Sequence, residues 1–166
     1  MKEIKKLSAS LEDYLEAIFH IIAEKDAARG KDIAARLKVS RGSVTEALRL
    51  LSKKGLINYA PYEVITMTES GSNIARDVIK RHKALKRFFV EVLAIQDDIA
   101  EQGACEVEHI ASHQIIARMV KFMDFLENCP RGGTELLGGF ADYCQKKQIK
   151  VDCDHCSSQC AEIKTP

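Results

Sequence analysis

Long apolar runs are missing from this 166-residue chain, whose longest purely apolar stretches are only a few residues. A spanning helix needs roughly 20, so no membrane segment is expected. The N-terminus also lacks the apolar core of a secretion signal, because Lys2, Lys5 and Lys6 lead into an acid-punctuated segment. A cytoplasmic protein is the resulting expectation. Cysteine is absent from residues 1–104, and five of the six cysteines fall in the last 38 residues. With 46% hydrophobic residues the chain can build a core without disulfide staples. Reduced thiolate chemistry near the C-terminus is therefore expected in place of a disulfide framework. Net charge is nearly absent too, at +1 from 25 Lys and Arg against 24 Asp and Glu. That sum argues against a nucleic-acid partner only if charge is spread evenly along the chain. Internal repeats, a Ser/His/Asp arrangement, a phosphate-cradling glycine loop and a catalytic carboxylate pair are all missing, so no enzyme is expected.

What is present is helical periodicity. Leu11, Leu15, Ile18, Phe19 and Ile22 recur at helical spacing and predict a first helix ending near Lys25, with Ser10 as its N-cap and Asp13 reaching back to it. A short helix after Gly30 carries Ile33, Ala34 and Leu37, and a third runs from Arg41 to about Lys54 behind a Ser40 cap. Residues 56–60 and 64–67 are β-prone and flank Pro61, which reads as a hairpin. Helix, turn, helix and hairpin in that order is the layout of a winged helix-turn-helix. Thr68 then caps a long helix, further helical patterns cover about 98–112 and 113–127, and the periodicity fails from Asn128 onward. The fold class is mainly α: a winged helix-turn-helix over 1–70, an all-helical metal-binding and dimerisation domain over 71–127, and a Cys-rich tail over 128–166.

Charge is not spread evenly. Residues 29–60 hold eight basic and two acidic side chains, so this window is +6 and the remainder is −5. In a helix-turn-helix the second helix enters the major groove of double-stranded DNA, with its first residues at base edges and flanking basic residues on phosphates. That places Arg41, Ser43, Thr45 and Glu46 near bases, followed by Arg49 and Lys53, with Tyr59 and Tyr62 as wing phosphate donors or packing residues.

The −5 remainder contains ligand-type residues at helical spacing. Asp13 and Glu16 are three apart, and Cys105, Glu108 and His109 form C-x-x-E-H, a pattern that aims a thiolate, a carboxylate and an imidazole at one point. His82 lies in the long helix between Arg81 and Lys83. Each has a plainer reading: Asp13 as a capping acid, Glu16 as a surface residue, His82 as part of a basic face, Cys105 as a small core residue.

Taken together, Leu11-Glu12-Asp13-Tyr14-Leu15-Glu16, Asp32-Ile33-Ala34, Ser43-Val44-Thr45, Met67-Thr68-Glu69-Ser70-Gly71, Arg81-His82 and Cys105-Glu106-Val107-Glu108-His109 resemble the diphtheria-toxin-repressor group of metal-dependent regulators. The resemblance implies a homodimer in which a divalent metal bridges the two domains and favours operator binding. By matching position it implies Asp13, Glu16, His82, Cys105, Glu108 and His109 as metal ligands, a mixture of the iron-sensing and manganese-sensing branches. Glu101 stands where an ancillary metal site has a histidine and Lys86 where that site has an acid, which puts the ancillary site in question. The Cys105 thiolate softens the set, so Fe²⁺ is expected over Mn²⁺ as the signal.

The tail offers Cys153-x2-Cys156-x3-Cys160, with Cys144 and Cys129 upstream. Clustered thiolates suit Zn²⁺ or an iron–sulfur cluster, and the cluster is the favoured of the two. A redox or iron–sulfur protein using its helix-turn-helix as an interaction module, or a metal-independent winged-helix regulator, are the competing functions.

Overall fold

A computed structural model describes residues 7–60, 63–129 and 133–145. In chain order these form α1 (Ala9–Lys25), α2 (Gly30–Leu37), α3 (Arg41–Lys53), β1 (Ile57–Asn58), β2 (Thr66–Met67), α4 (Glu69–Glu91), α5 (Asp97–Glu108), α6 (His113–Glu127) and α7 (Gly133–Gln145). The first three helices pack around Leu15, Ile18, Ile33, Leu48, Leu51 and Ile65, each 2% exposed or less. Burying such a side chain contributes about 1.5–3 kcal/mol, so this cluster supplies the N-terminal half with its own core. Further apolar clusters, built on Leu85, Ala104 and Ile116 and on Val92, Met123 and Leu126, hold α4, α5 and α6 together. Helix α4 runs between the two halves, with Ala75 in the first core and Leu85 in the second.

Helix α1 begins two residues earlier than its sequence suggests. Ser8 occupies the capping position, so the expected Ser10 and Asp13 capping box gives way and Asp13 points elsewhere. The caps of α3 and α4 form as expected: Ser40 accepts from the Ser43 amide and Thr68 from the Gly71 amide. The Thr68 hydroxyl also donates to the Gly55 carbonyl, fixing α4 against the turn that ends α3, where Gly55 takes a left-handed φ of 71°.

The wing is shorter than the β-prone runs. Among the described residues, Ile57 with Met67 and Asn58 with Thr66 pair as strands. Ile65 turns instead to Ala28 ahead of α2, each donating its amide to the other's carbonyl. The β propensity around Ile65 is thus spent on tying the wing to the helix-turn-helix. Beyond residue 128 the chain is not irregular as expected: α7 forms, and Leu137 packs against the Val92, Met123 and Leu126 cluster. Gly138 and Gly139 weaken the helical signal locally, but tertiary packing outweighs that cost.

Candidate metal centre

Helices α1, α4 and α5 enclose a cleft lined by Asp13, Glu16, His20, His82, Glu101 and Cys105. Next to Asp13 on this cleft lies the end of α5. Glu108 is the helix's last residue and is fully buried, and His109 follows as the C-cap. His109 keeps a helical backbone, with φ −83° and ψ −20°, and its imidazole faces α1. Its Nε2 lies 2.9 Å from Asp13 Oδ1 and 3.3 Å from Glu108 Oε1. One ligand atom from each of Asp13, Glu108 and His109 falls within 4.8 Å of the others.

Two of these atoms, Glu108 Oε1 and His109 Nε2, are buried and make no hydrogen bond. Orphaned buried polar atoms are costly, and here an imidazole nitrogen converges with two carboxylate oxygens. A divalent cation satisfies all three at once, and this donor set accepts Mn²⁺, Fe²⁺ or Zn²⁺. The residues present therefore fit a metal ion.

Of the remaining predicted ligands, His82 is one step removed. Its Nδ1 is 2.8 Å from the second oxygen of Glu108, and its Nε2 is 3.1 Å from Glu101. Hydrogen bonding to Glu108 pushes the His82 imidazole above its usual range. Glu16 lines the cleft and pairs with His20 at 3.5 Å. Cys105 also lines the cleft but is exposed and stands outside the closest group, so C-x-x-E-H does not converge as one unit. Burial raises the Asp13, Glu16 and Cys105 acidities' midpoints, and the Glu108 charge adds to the rise at all three. Protons and a metal ion compete for such groups.

Glu101 meets His82, as the ancillary-site reading requires, but shares its carboxylate with a lysine. Lys86 pairs with it at 2.9 Å and with Asp97 at 3.0 Å, so one Glu101 oxygen faces the ammonium while the other faces His82. The contact with Lys86 holds the Glu101 carboxyl below its usual range.

Sequence reasoning passed over Glu12 and Arg81 as ligand-set partners. Both are buried, and Arg81 Nη2 lies 3.3 Å from Glu12 Oε2. Their opposite charges each precede a ligand-type residue, in Glu12-Asp13 and Arg81-His82, but only the fold shows that they meet.

Elsewhere in the first domain, Arg29, Lys31, Arg41, Thr45, Arg49 and Tyr59 line a groove between α3 and the wing. Arg41, Ser43, Glu46, Arg49 and Lys53 are exposed on α3. The Ser43 hydroxyl is 2.9 Å from that of Ser40, and Thr45 Oγ1 donates to the Arg41 carbonyl. Tyr59 packs on the N-terminal core, while Tyr62 lies outside the described residues. Cys129 and Cys144 are free cysteines, and neither joins a metal-type group among the described residues. Cys153, Cys156 and Cys160 lie outside the described residues.

Fold and cleft together define a winged-helix DNA-binding protein with a metal-type donor cluster between its two helical halves. Profiles for the iron dependent repressor, N-terminal DNA binding domain, and the iron dependent repressor, metal binding and dimerisation domain, match residues 6–65 and 68–137. An uncharacterised helix-turn-helix-type transcriptional regulator of Methanocaldococcus jannaschii is 36% identical over 119 residues, covering 71% of this chain and 95% of the relative. The transcriptional regulator MntR of Lysinibacillus sphaericus is 31% identical over 121 residues, covering 73% and 86%. A solved manganese-dependent transcriptional repressor in complex with manganese superposes with a TM-score of 0.62 at 30% identity, covering 69% of this chain and 53% of that one. The fold is shared with IdeR of T. acidophilum at a TM-score of 0.61 and 24% identity, over 68% and 53%. The chain thus spans about half the length of these solved structures. It belongs to the diphtheria-toxin-repressor and MntR family of metal-dependent transcriptional repressors. No helix among the described residues is long and apolar enough to cross a membrane.

Proposed function

We propose that this chain is a cytoplasmic, homodimeric repressor that binds double-stranded operator DNA when a divalent metal ion occupies the cleft between α1 and α5. The observation that carries this reading is the convergence of Asp13 with the unpartnered Glu108 Oε1 and His109 Nε2. Asp13 belongs to the DNA-binding half and the other two to the second half, so an ion held by all three joins the halves. When bound, the ion supplies a positive charge that neutralises converging carboxylates. Glu16, His82 and Cys105 on the cleft walls are the further ligands we assign. Fixing α1 orients α3, whose Arg41, Ser43, Thr45, Glu46, Arg49 and Lys53 meet the DNA. An exposed apolar face on α6, including Ile115, Phe122 and Phe125 at 55%, 46% and 62% exposure, supports pairing with a second copy.

We assign Fe²⁺ as the signal, because Cys105 adds a soft donor to an otherwise oxygen and imidazole set. Manganese, named for one of the similar structures, is the comparator. The test is an anaerobic operator-binding titration with each ion. Metal is expected to tighten binding about 5- to 150-fold, corresponding to ~1–3 kcal/mol of coupling, with Fe²⁺ acting at lower free concentration. If Mn²⁺ acts at lower concentration and Cys105→Glu changes nothing, the Fe²⁺ assignment is wrong. Binding unchanged under chelation overturns metal dependence altogether.

A further inference from the structure

Behind the donor cluster, a carboxylate and a guanidinium are buried together where three helices meet. Glu12 on α1 is 6% exposed and Arg81 on α4 is 8% exposed. Arg81 donates through Nη2 to Glu12 Oε2 at 3.3 Å and through Nη1 to the backbone carbonyl of Glu108, at the end of α5. Its Nε lies 3.2 Å from Asp77. The same Glu12 oxygen is 2.7 Å from His109 Nδ1. Successive residues of α1 therefore bracket one imidazole, with Glu12 on Nδ1 and Asp13 on Nε2.

The chemistry of this bracket is directional. An ionised carboxylate only accepts hydrogen bonds, so its contact with Nδ1 places a proton there and makes Nε2 the ring atom that faces Asp13 and Glu108. The Arg81 guanidinium, 3.3 Å away, supplies a partner in a buried position where an isolated carboxylate would be costly. We infer that Glu12 and Arg81 form an interdomain latch, in which Glu12 sets the tautomer and orientation of His109 for metal binding and Arg81 holds Glu12 while tying α4 to the end of α5. Both are positioning residues: they act through His109 and Glu108 and contribute no atom to the donor cluster. The inference rests on the metal reading above and deepens it by naming what prepares the site. It also assigns the latch a role without the ion, since all its contacts are between protein groups and already span α1, α4 and α5.

Glu12→Gln is the diagnostic change, because it keeps the shape and removes the charge. A glutamine can donate its amide proton to Nδ1, which favours the tautomer with hydrogen on Nε2 and blocks the metal-facing atom. The full chain is titrated with Co²⁺ and followed by its visible absorption. Outer-shell partners of ligating histidines typically contribute 10- to 100-fold in metal affinity. Glu12→Gln and Arg81→Met are each expected to weaken Co²⁺ binding by that factor, while metal-saturated protein retains operator affinity. Nitrogen-15 spectra of the Zn²⁺-loaded wild type are expected to show His109 protonated at Nδ1, a readout that holds even if a variant fails to fold. Metal at Nδ1, or wild-type Co²⁺ affinity in Glu12→Gln, overturns the latch; wild-type affinity in Arg81→Met alone removes Arg81 from it. A wild-type chain that binds no Co²⁺ overturns the metal reading itself, and with it this inference.

Discussion

Asp13 shows how one side chain can carry two readings until its surroundings are known. At helical spacing from Ser10 it fits a capping box, yet α1 starts at Ala9 and the carboxylate faces His109 Nε2. Its raised pKa comes first from burial, against the lowering effect of His109, and so reflects a half-buried carboxylate and not an exposed cap. Asp13→Ala is expected to reduce metal activation of operator binding, within the 5- to 150-fold range typical of such coupling, while leaving salt-dependent nonspecific binding nearly intact. Arg49→Ala, on the exposed face of α3, is expected to weaken both and to lower the salt slope by about one. Equal metal dependence in wild type and Asp13→Ala, measured by fluorescence anisotropy, would sink the bridging role. The residue types of the site were legible in the sequence because ligand chemistry is restricted to few side chains. Cys105 lines the cleft but stands outside the closest donor group, a difference in depth that spacing along a helix does not reveal. Glu12 went unremarked because one acid among 24 gains meaning only from the buried Arg81 beside it.

Among the elements, those with strong local signals were legible and those made by packing were not. Helices α2, α3, α4 and α6 lie close to their expected bounds because a cap or a turn coincides with the start of an apolar stripe. The wing and α7 departed from expectation for one shared reason: non-local contacts decided them. Ile65 pairs with Ala28, distant in sequence, and Leu137 finds its place only against α4 and α6. The junction at the start of α4 gives a test of how tightly such contacts fit. A Cβ on Gly71 would overlap the carbonyl oxygen of Leu56, on a backbone that Thr68 pins through Gly55 and Gly71. Neither side can yield without disturbing the cap or the turn after α3. Gly71→Ala is expected to destabilise the fold by about 1–3 kcal/mol through overpacking. Urea denaturation checks this, and a midpoint equal to wild type would mean that the junction is looser than its contacts indicate.

At the scale of the whole molecule, near-neutrality conceals a division of labour between a basic reading head and an acidic remainder that supplies the metal-type carboxylates. The two halves have separate apolar cores, joined through α4 and through the polar contacts of Glu12, Asp13, Arg81 and His109. An ion bound across that junction stabilises the joined, folded state and not the separated halves. At a free concentration 100 times its Kd, such a ligand adds ~2.7 kcal/mol. For a chain of this size that corresponds to a rise in thermal midpoint of about 5–10 °C. Asp13→Ala removes the α1 contribution to the ligand set, so its midpoint is expected to rise much less at the same metal concentration. Reciprocity adds a second constraint: operator DNA must tighten metal binding by the same factor that metal tightens DNA binding. Differential scanning calorimetry with and without the ion, and metal titration with and without operator, measure the two sides separately. A thermal midpoint unmoved by concentrations that switch DNA binding would contradict an ion that joins the halves, because an ion that biases their arrangement must also stabilise it.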